Sequence, residues 1–153
     1  MSIKTWLLTV FRELFLSHYE SLEFRAEIFA LIIAPSCKSA KECNFTLLKE
    51  IAEEIYKNDR HRQGVFLNIV KEYVSIILRN APASYDEAVK DINNKVKANK
   101  KLAVKINMIH INKFLRDDLS ENKQLLQQRI AEFLEEASKE ASCPINSAKH
   151  ESL

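Results

Sequence analysis

Asp117, Asp118 and Glu121 stand close together and carry the oxygen donors that hard cations such as Ca²⁺ and Mg²⁺ prefer. Ca²⁺ takes about six oxygens or more, so these acids would need further ligands from elsewhere in the chain. They also stand just ahead of an amphipathic helix, where the positive end of the helix dipole stabilises carboxylates without any metal. Cys37 and Cys43 are separated by five residues. Zinc knuckles use roughly two to four, and no Cys/His pair follows at ligand spacing. Reduced, semi-exposed thiols are therefore the expectation. His18, His61, His110 and His150 lie in unrelated contexts, with no HExxH and no Ser/His/Asp order. His110 reads as a satisfied core or boundary histidine. The chain has one glycine, which excludes a P-loop and a GxGxxG fingerprint. Neither catalysis nor a cofactor is expected.

Two surfaces could hold a partner. Lys90, Lys97 and Lys101 fall within about 40° of one another on a continuous helix, with Lys95, Lys100 and Lys105 nearby. Such a face could bind nucleic-acid phosphates or an anionic membrane surface, a reading that requires the lysines to share it with Arg60 and Arg62. No aromatic residue interleaves with these lysines, and no arginine is at hand for base edges. A solvated lysine face is the plainer account of the run, and the net charge of +2 neither demands nor forbids an anionic partner. The other surface is the helix expected over residues 3–17, whose broad apolar face includes Trp6, Leu7, Phe11 and Phe15. It packs on the core, docks on a protein partner, or lies on a membrane surface.

The elements that must position these groups are all helices. With 46% hydrophobic and 29% charged residues the chain is globular, and its 153 residues suit one domain with a real core. Hairpins and tight sheet turns need glycine at positive φ, so one glycine argues for short loops between helices. Val65 to Leu78, VFLNIVKEYVSIIL, confines its polar side chains to an arc of about 100° and predicts a central helix covered on several sides. Before it come helices over Ser21 to Ala34, ended by Pro35, and over Phe45 to Lys57. Asn58 and Asp59 cap the central helix. Ser84-Tyr-Asp-Glu87 has capping-box spacing and predicts the next helix start, and Ser39 to Glu42 repeats that spacing for a short turn. One helix is then expected over Asn99 to Arg116, and Ser120 or Glu121 opens the last. From Ser138 onward large apolar residues almost vanish, which predicts a disordered tail over 138–153 behind a helical domain over 1–137.

Leu31 to Ala34, a polar loop and Leu47-x-x-x-Ile51-Ala52-Glu53 echo Met108 to Leu115, a polar loop and Leu126-x-x-x-Ile130-Ala131-Glu132. A repeated helix–loop–helix would give a pseudo-two-fold bundle. This plan resembles the TerB-like (tellurite-resistance) helical family over residues 24–137, through Arg25 to Ala34, Leu47 to Tyr56 and Ile111 to Leu134. The resemblance implies an all-α fold, a setting in bacterial stress response, and acidic turns that can hold a divalent metal. Here the first turn has Ser36, Lys38, Lys41 and Glu42 in place of the family's Asp-Gly. The second keeps Asp117, Asp118 and Glu121 without the glycine, so the fold carries over better than the metal site.

The expected molecule is all-α, a single globular bundle of about seven helices around a buried helix at 65–78. Its expected function is non-catalytic interaction with a protein partner, including a second copy of the chain. Binding of nucleic acid or an anionic surface through Lys90, Lys97, Lys101 and Lys105 is the alternative. No apolar stretch of about twenty residues exists to cross a bilayer. The odd cysteine count favours a reducing cytoplasm, with peripheral membrane contact left open.

Overall fold

A computed structural model describes residues 19–142, among which every regular element is helical. Residues 19–33 are helical and are labelled α1. It is followed by α2 (Thr46–Ile55), α3 (Arg60–Arg79), α4 (Ala83–Ala98), α5 (Met108–Asn112) and α6 (Glu121–Ser138). Short 3-10 segments at Ala34–Ser36, Ala40–Glu42, Lys100–Lys105 and Lys139–Ser142 link or extend them. The chain is an all-α globular bundle. The helix expected over 3–17, with Trp6, Leu7, Phe11 and Phe15, lies outside the described residues.

The most enclosed helix is α1 rather than the segment at 65–78. From Ile28 to Ile33 every α1 side chain is buried, as is Ala34 just after it, and Phe24, Ala26 and even Glu27 are buried before them. In α3 burial is confined to the stripe Phe66, Val70, Val74 and Ile77, while Val65, Leu67, Ile69, Tyr73 and Leu78 are half-buried and Ile76 is exposed. A wide apolar arc permits a central position without requiring it, because half-buried aliphatic side chains are ordinary at a bundle surface. Phe29 of α1 sits at the middle of the aromatic core. It meets the edge of Phe66 at 5.8 Å and of Phe114 at 5.6 Å between centroids, and Tyr56 packs on Phe66 at 5.6 Å. These offset and edge-on arrangements suit the ring quadrupoles.

Side-chain caps open α3 and α5, while α2, α4 and α6 start without one. Asp59 caps α3 as expected, its carboxylate accepting from the Arg62 N–H at 3.0 Å. Ahead of it Asn58 takes φ 62, a left-handed value that asparagine tolerates better than most residues. The capping box at Ser84 and Glu87 does not form. Helix α4 starts at Ala83, and the buried Ser84 hydroxyl donates to the Ile77 carbonyl at 2.6 Å, satisfying a main-chain acceptor in the last turn of α3.

The single helix expected over Asn99 to Arg116 is broken. The Asn99 side chain accepts from the Lys101 N–H, and that of Asn107 accepts from Ile109 and His110. Each asparagine offers the main chain a local partner that competes with a continuing helix. The chain therefore turns at both, yet still buries Leu102, Ala103, Ile106, Ile111 and Phe114. At the other end α6 runs through Ser138, and Lys139–Ser142 pack against Lys100–Lys105. The ordered domain thus passes the expected boundary at residue 137, and residues 143–153 lie outside the described region.

Candidate functional site

The connection between α1 and α2 doubles back on itself. The 3-10 turn Ala34–Ser36 ends with the Cys37 N–H donating to the Ala34 carbonyl at 3.1 Å, and a second 3-10 turn, Ala40–Glu42, reverses the chain. Cys37 and Cys43 are thereby brought to a Cα separation of 4.9 Å and are joined as a disulfide. This corrects the expectation of reduced thiols. Spacing spoke against zinc, but only the two turns place the sulfurs together.

Just past the bridge lies a pocket of about 540 Å³, walled by Lys41 to Thr46 and Lys49 on one side and by Leu67 and Lys71 of α3 on the other. Lys41, Lys49 and Lys71 are exposed, and among the described residues none of them makes an ion pair. Glu42 is the one acid in the lining. Phe45 and Leu67 supply an apolar floor, with the Lys71 ammonium 5.6 Å from the Phe45 ring centroid. The first turn of α2 opens onto the same space. Asn44 accepts from the Thr46 N–H at 3.0 Å, while Phe45 at the N-cap supplies no side-chain acceptor. Uncapped N–H groups and the helix dipole add to the positive field of the lysines.

Of the acids considered as cation ligands, the Asp118 carboxylate is already engaged. Arg116 donates to both oxygens of Asp118, at 2.9 and 2.5 Å, and its guanidinium holds that carboxyl below the usual range. Gln124 donates to the main-chain carbonyls of Asp117 and Leu119. Glu121 is exposed at the first position of α6. Among the described residues no three His, Cys, Asp or Glu side chains are grouped as metal ligands would be. The turn as folded does not fit the divalent metal implied by the TerB-like resemblance. A smaller pocket of about 340 Å³ beside it is lined by Leu115, Arg116, Asp117, Gln124, Gln127 and Gln128.

Lys90 and Lys97 are exposed on α4, but that helix stops at Ala98, and Asn99 is extended. Lys101 and Lys105 therefore belong to a separate 3-10 segment, with Lys101 exposed and Lys105 half-buried. Lys95 turns inward, placing its ammonium 2.8 Å from Glu27 and 2.9 Å from Asp91. Glu27 is only 3% exposed. Burial, helped by its hydrogen bond with Asp91, pushes its pKa up to about 8 despite the neighbouring ammonium. One ammonium cannot neutralise two carboxylates, so a proton retained at neutral pH leaves the cluster with no net charge. His110 reaches Glu54 of α2 through Nε2 at 3.0 Å, while its buried Nδ1 has no partner among the described residues. That tie between α5 and α2 suits a boundary histidine.

Sequence patterns missed the lysine pocket because its three cations come from a loop and two helices, spaced 8 and 22 residues apart, and form no run. Lys41 and Lys49 each read as an ordinary solvated charge. Compared with family models, with curated proteins and with solved structures, the chain finds no match in any of the three. The class it defines is therefore the one its own fold gives, an all-α bundle with a basic, apolar-floored pocket.

Proposed function

We propose that this protein is a non-catalytic helical interaction module that grips an acidic segment of a protein partner in the pocket between the start of α2 and α3. The observation that carries the proposal is the convergence of Lys41, Lys49 and Lys71, without ion pairs among the described residues, around the Phe45 and Leu67 floor. Three uncompensated ammonium groups suit a string of carboxylates, and the apolar floor suits a large side chain among them. Nothing in the lining offers a nucleophile beside a base. The TerB-like resemblance supports a small helical binding domain but contributes no ligand.

The test is binding of a fluorescent peptide of glutamates with one phenylalanine, measured by anisotropy, beside the same peptide with glutamines. The glutamate peptide should bind and weaken as salt screens the contacts, and the glutamine peptide should not bind. Lys49→Glu and Lys71→Glu should each cost about tenfold or more, the worth of one charge-assisted contact. Lys90→Glu and Lys97→Glu should leave binding unchanged. The opposite pattern would sink the proposal in favour of anion binding through the face that includes Lys90, Lys97, Lys101 and Lys105.

A further inference from the structure

We infer that the Cys37–Cys43 disulfide is a redox latch on the lysine pocket, holding its loop wall in place when oxidised and releasing it when reduced; the regulatory part rests on the binding role proposed above. The two cysteines occupy unequal positions. Cys37 is 5% exposed and is anchored through its N–H to the turn that ends α1. Cys43 is half-buried and is itself part of the pocket lining. The bond therefore ties a fixed point in the core to the rim of the pocket.

Little else holds that rim. Residues 38–42 are all exposed. Their one main-chain hydrogen bond within the loop runs from the Glu42 N–H to the Ser39 carbonyl at 3.0 Å. Among the described residues, Lys38, Ser39, Lys41 and Glu42 send no side-chain hydrogen bond or ion pair to the body of the protein. The turn Ala40–Glu42 does rest against α3. Cutting the bridge removes a covalent closure of a short loop and returns conformational freedom to residues 38–42, the part of the wall that carries Lys41. Phe45 stays in place, packed on the core with its carbonyl accepting from the Lys49 N–H at 2.9 Å, so it is the lysine of the loop that is no longer fixed relative to the floor, Lys49 and Lys71.

Exposure also sets the direction of the exchange. An external thiolate meets the Cys43 sulfur first, forms a mixed disulfide there, and expels Cys37 as a thiolate that takes up a proton. The second thiol of a dithiol reductant then displaces Cys43, leaving two protein thiols and one oxidised reductant. Reoxidation by a small disulfide runs the same steps in reverse. No other co-reactant is needed.

The experiment uses the full chain carrying Cys143→Ser, so that one cysteine pair remains, poised in buffers of reduced and oxidised dithiothreitol. Amide hydrogen exchange and binding of the glutamate–phenylalanine peptide are read on the same samples. On reduction, exchange should rise over residues 38–46 while α3 and α6 stay protected, and peptide affinity should fall about tenfold or more. Cys43→Ser should show the reduced pattern at every poise. Unchanged exchange over 38–46 on reduction would overturn the latch, since other contacts would then hold the wall. Raised exchange with equal affinity in both states would overturn its regulatory role. A peptide that binds neither state would count against the pocket reading alone, with exchange still deciding whether the bridge holds the wall.

Discussion

Gln127 holds three main-chain groups that would otherwise be stranded in the interior. Its amide donates to the carbonyls of Ile32 and Phe114 at 3.0 and 3.1 Å, and its carbonyl accepts from the Arg116 N–H at 3.1 Å. One side chain, 1% exposed, thus ties α6 to the end of α1 and to the turn after α5. Gln127→Leu keeps the volume but leaves two acceptors and a donor unpaired. A loss of about 2–4 kcal/mol is expected in urea unfolding followed by circular dichroism. A loss below about 0.5 kcal/mol would mean that solvent already serves these groups. Periodicity could not mark this residue. Its place three and seven residues before Ile130 and Leu134 puts it on the apolar face, but a polar residue there names no partner, and only the approach of three distant main-chain segments makes it indispensable. Glu27 was hidden in the same way, as was the meeting of Cys37 with Cys43 across two 3-10 turns.

Signals at helix ends were legible wherever a side chain could reach only one main-chain partner. Asn58 and Asp59 made the α3 start readable because asparagine tolerates the left-handed turn and the aspartate reaches the Arg62 N–H. Ser84 misled because its hydroxyl had a competitor for its attention, the Ile77 carbonyl of the preceding helix, which sequence does not place beside it. Asn107 interrupted the helix expected over Asn99 to Arg116 through local bonds that apolar periodicity ignores. Glycine makes the complementary point. The chain puts Asn58 where positive φ is needed and spends its one glycine inside α3, where Gly64 has nothing within 4 Å of an added Cβ. Alanine at an exposed helix position loses less chain entropy on folding than glycine. Gly64→Ala should therefore raise stability by about 0.5–1 kcal/mol, read as a higher midpoint in thermal unfolding. A lower midpoint would mean that the surface around residue 64 is already occupied.

For the whole molecule, composition made the all-α class legible, since helices joined by short loops are what a chain almost without glycine can build. Which helix lies at the centre was not legible, because α1 and α3 are both apolar over wide arcs and only packing distinguishes them. The centre also carries a charge cluster that couples global stability to pH. Glu27 of α1 faces Lys95 and Asp91 of α4. Burial keeps the Glu27 proton to about pH 8, against an ordinary carboxyl value of 4.5. Across that window the folded chain holds a proton that the unfolded chain has released. Unfolding then gives up a proton, so stability falls as pH rises, by about 1.4 kcal/mol per unit from this group. Lys95 is the opposite case. Burial lowers its affinity for a proton, but the Glu27 and Asp91 carboxyls outweigh that and raise its pKa, so its contribution is lost only at alkaline pH, above this window. Glu27→Gln keeps a neutral side chain of the same shape beside Lys95 and cannot ionise. Urea unfolding of both proteins between about pH 5 and 8 cancels the histidine titrations they share. The difference in stability, variant minus parent, should grow in favour of the variant as pH rises. A constant difference across the range would place the Glu27 proton elsewhere and make the contact with Lys95 an ordinary ion pair.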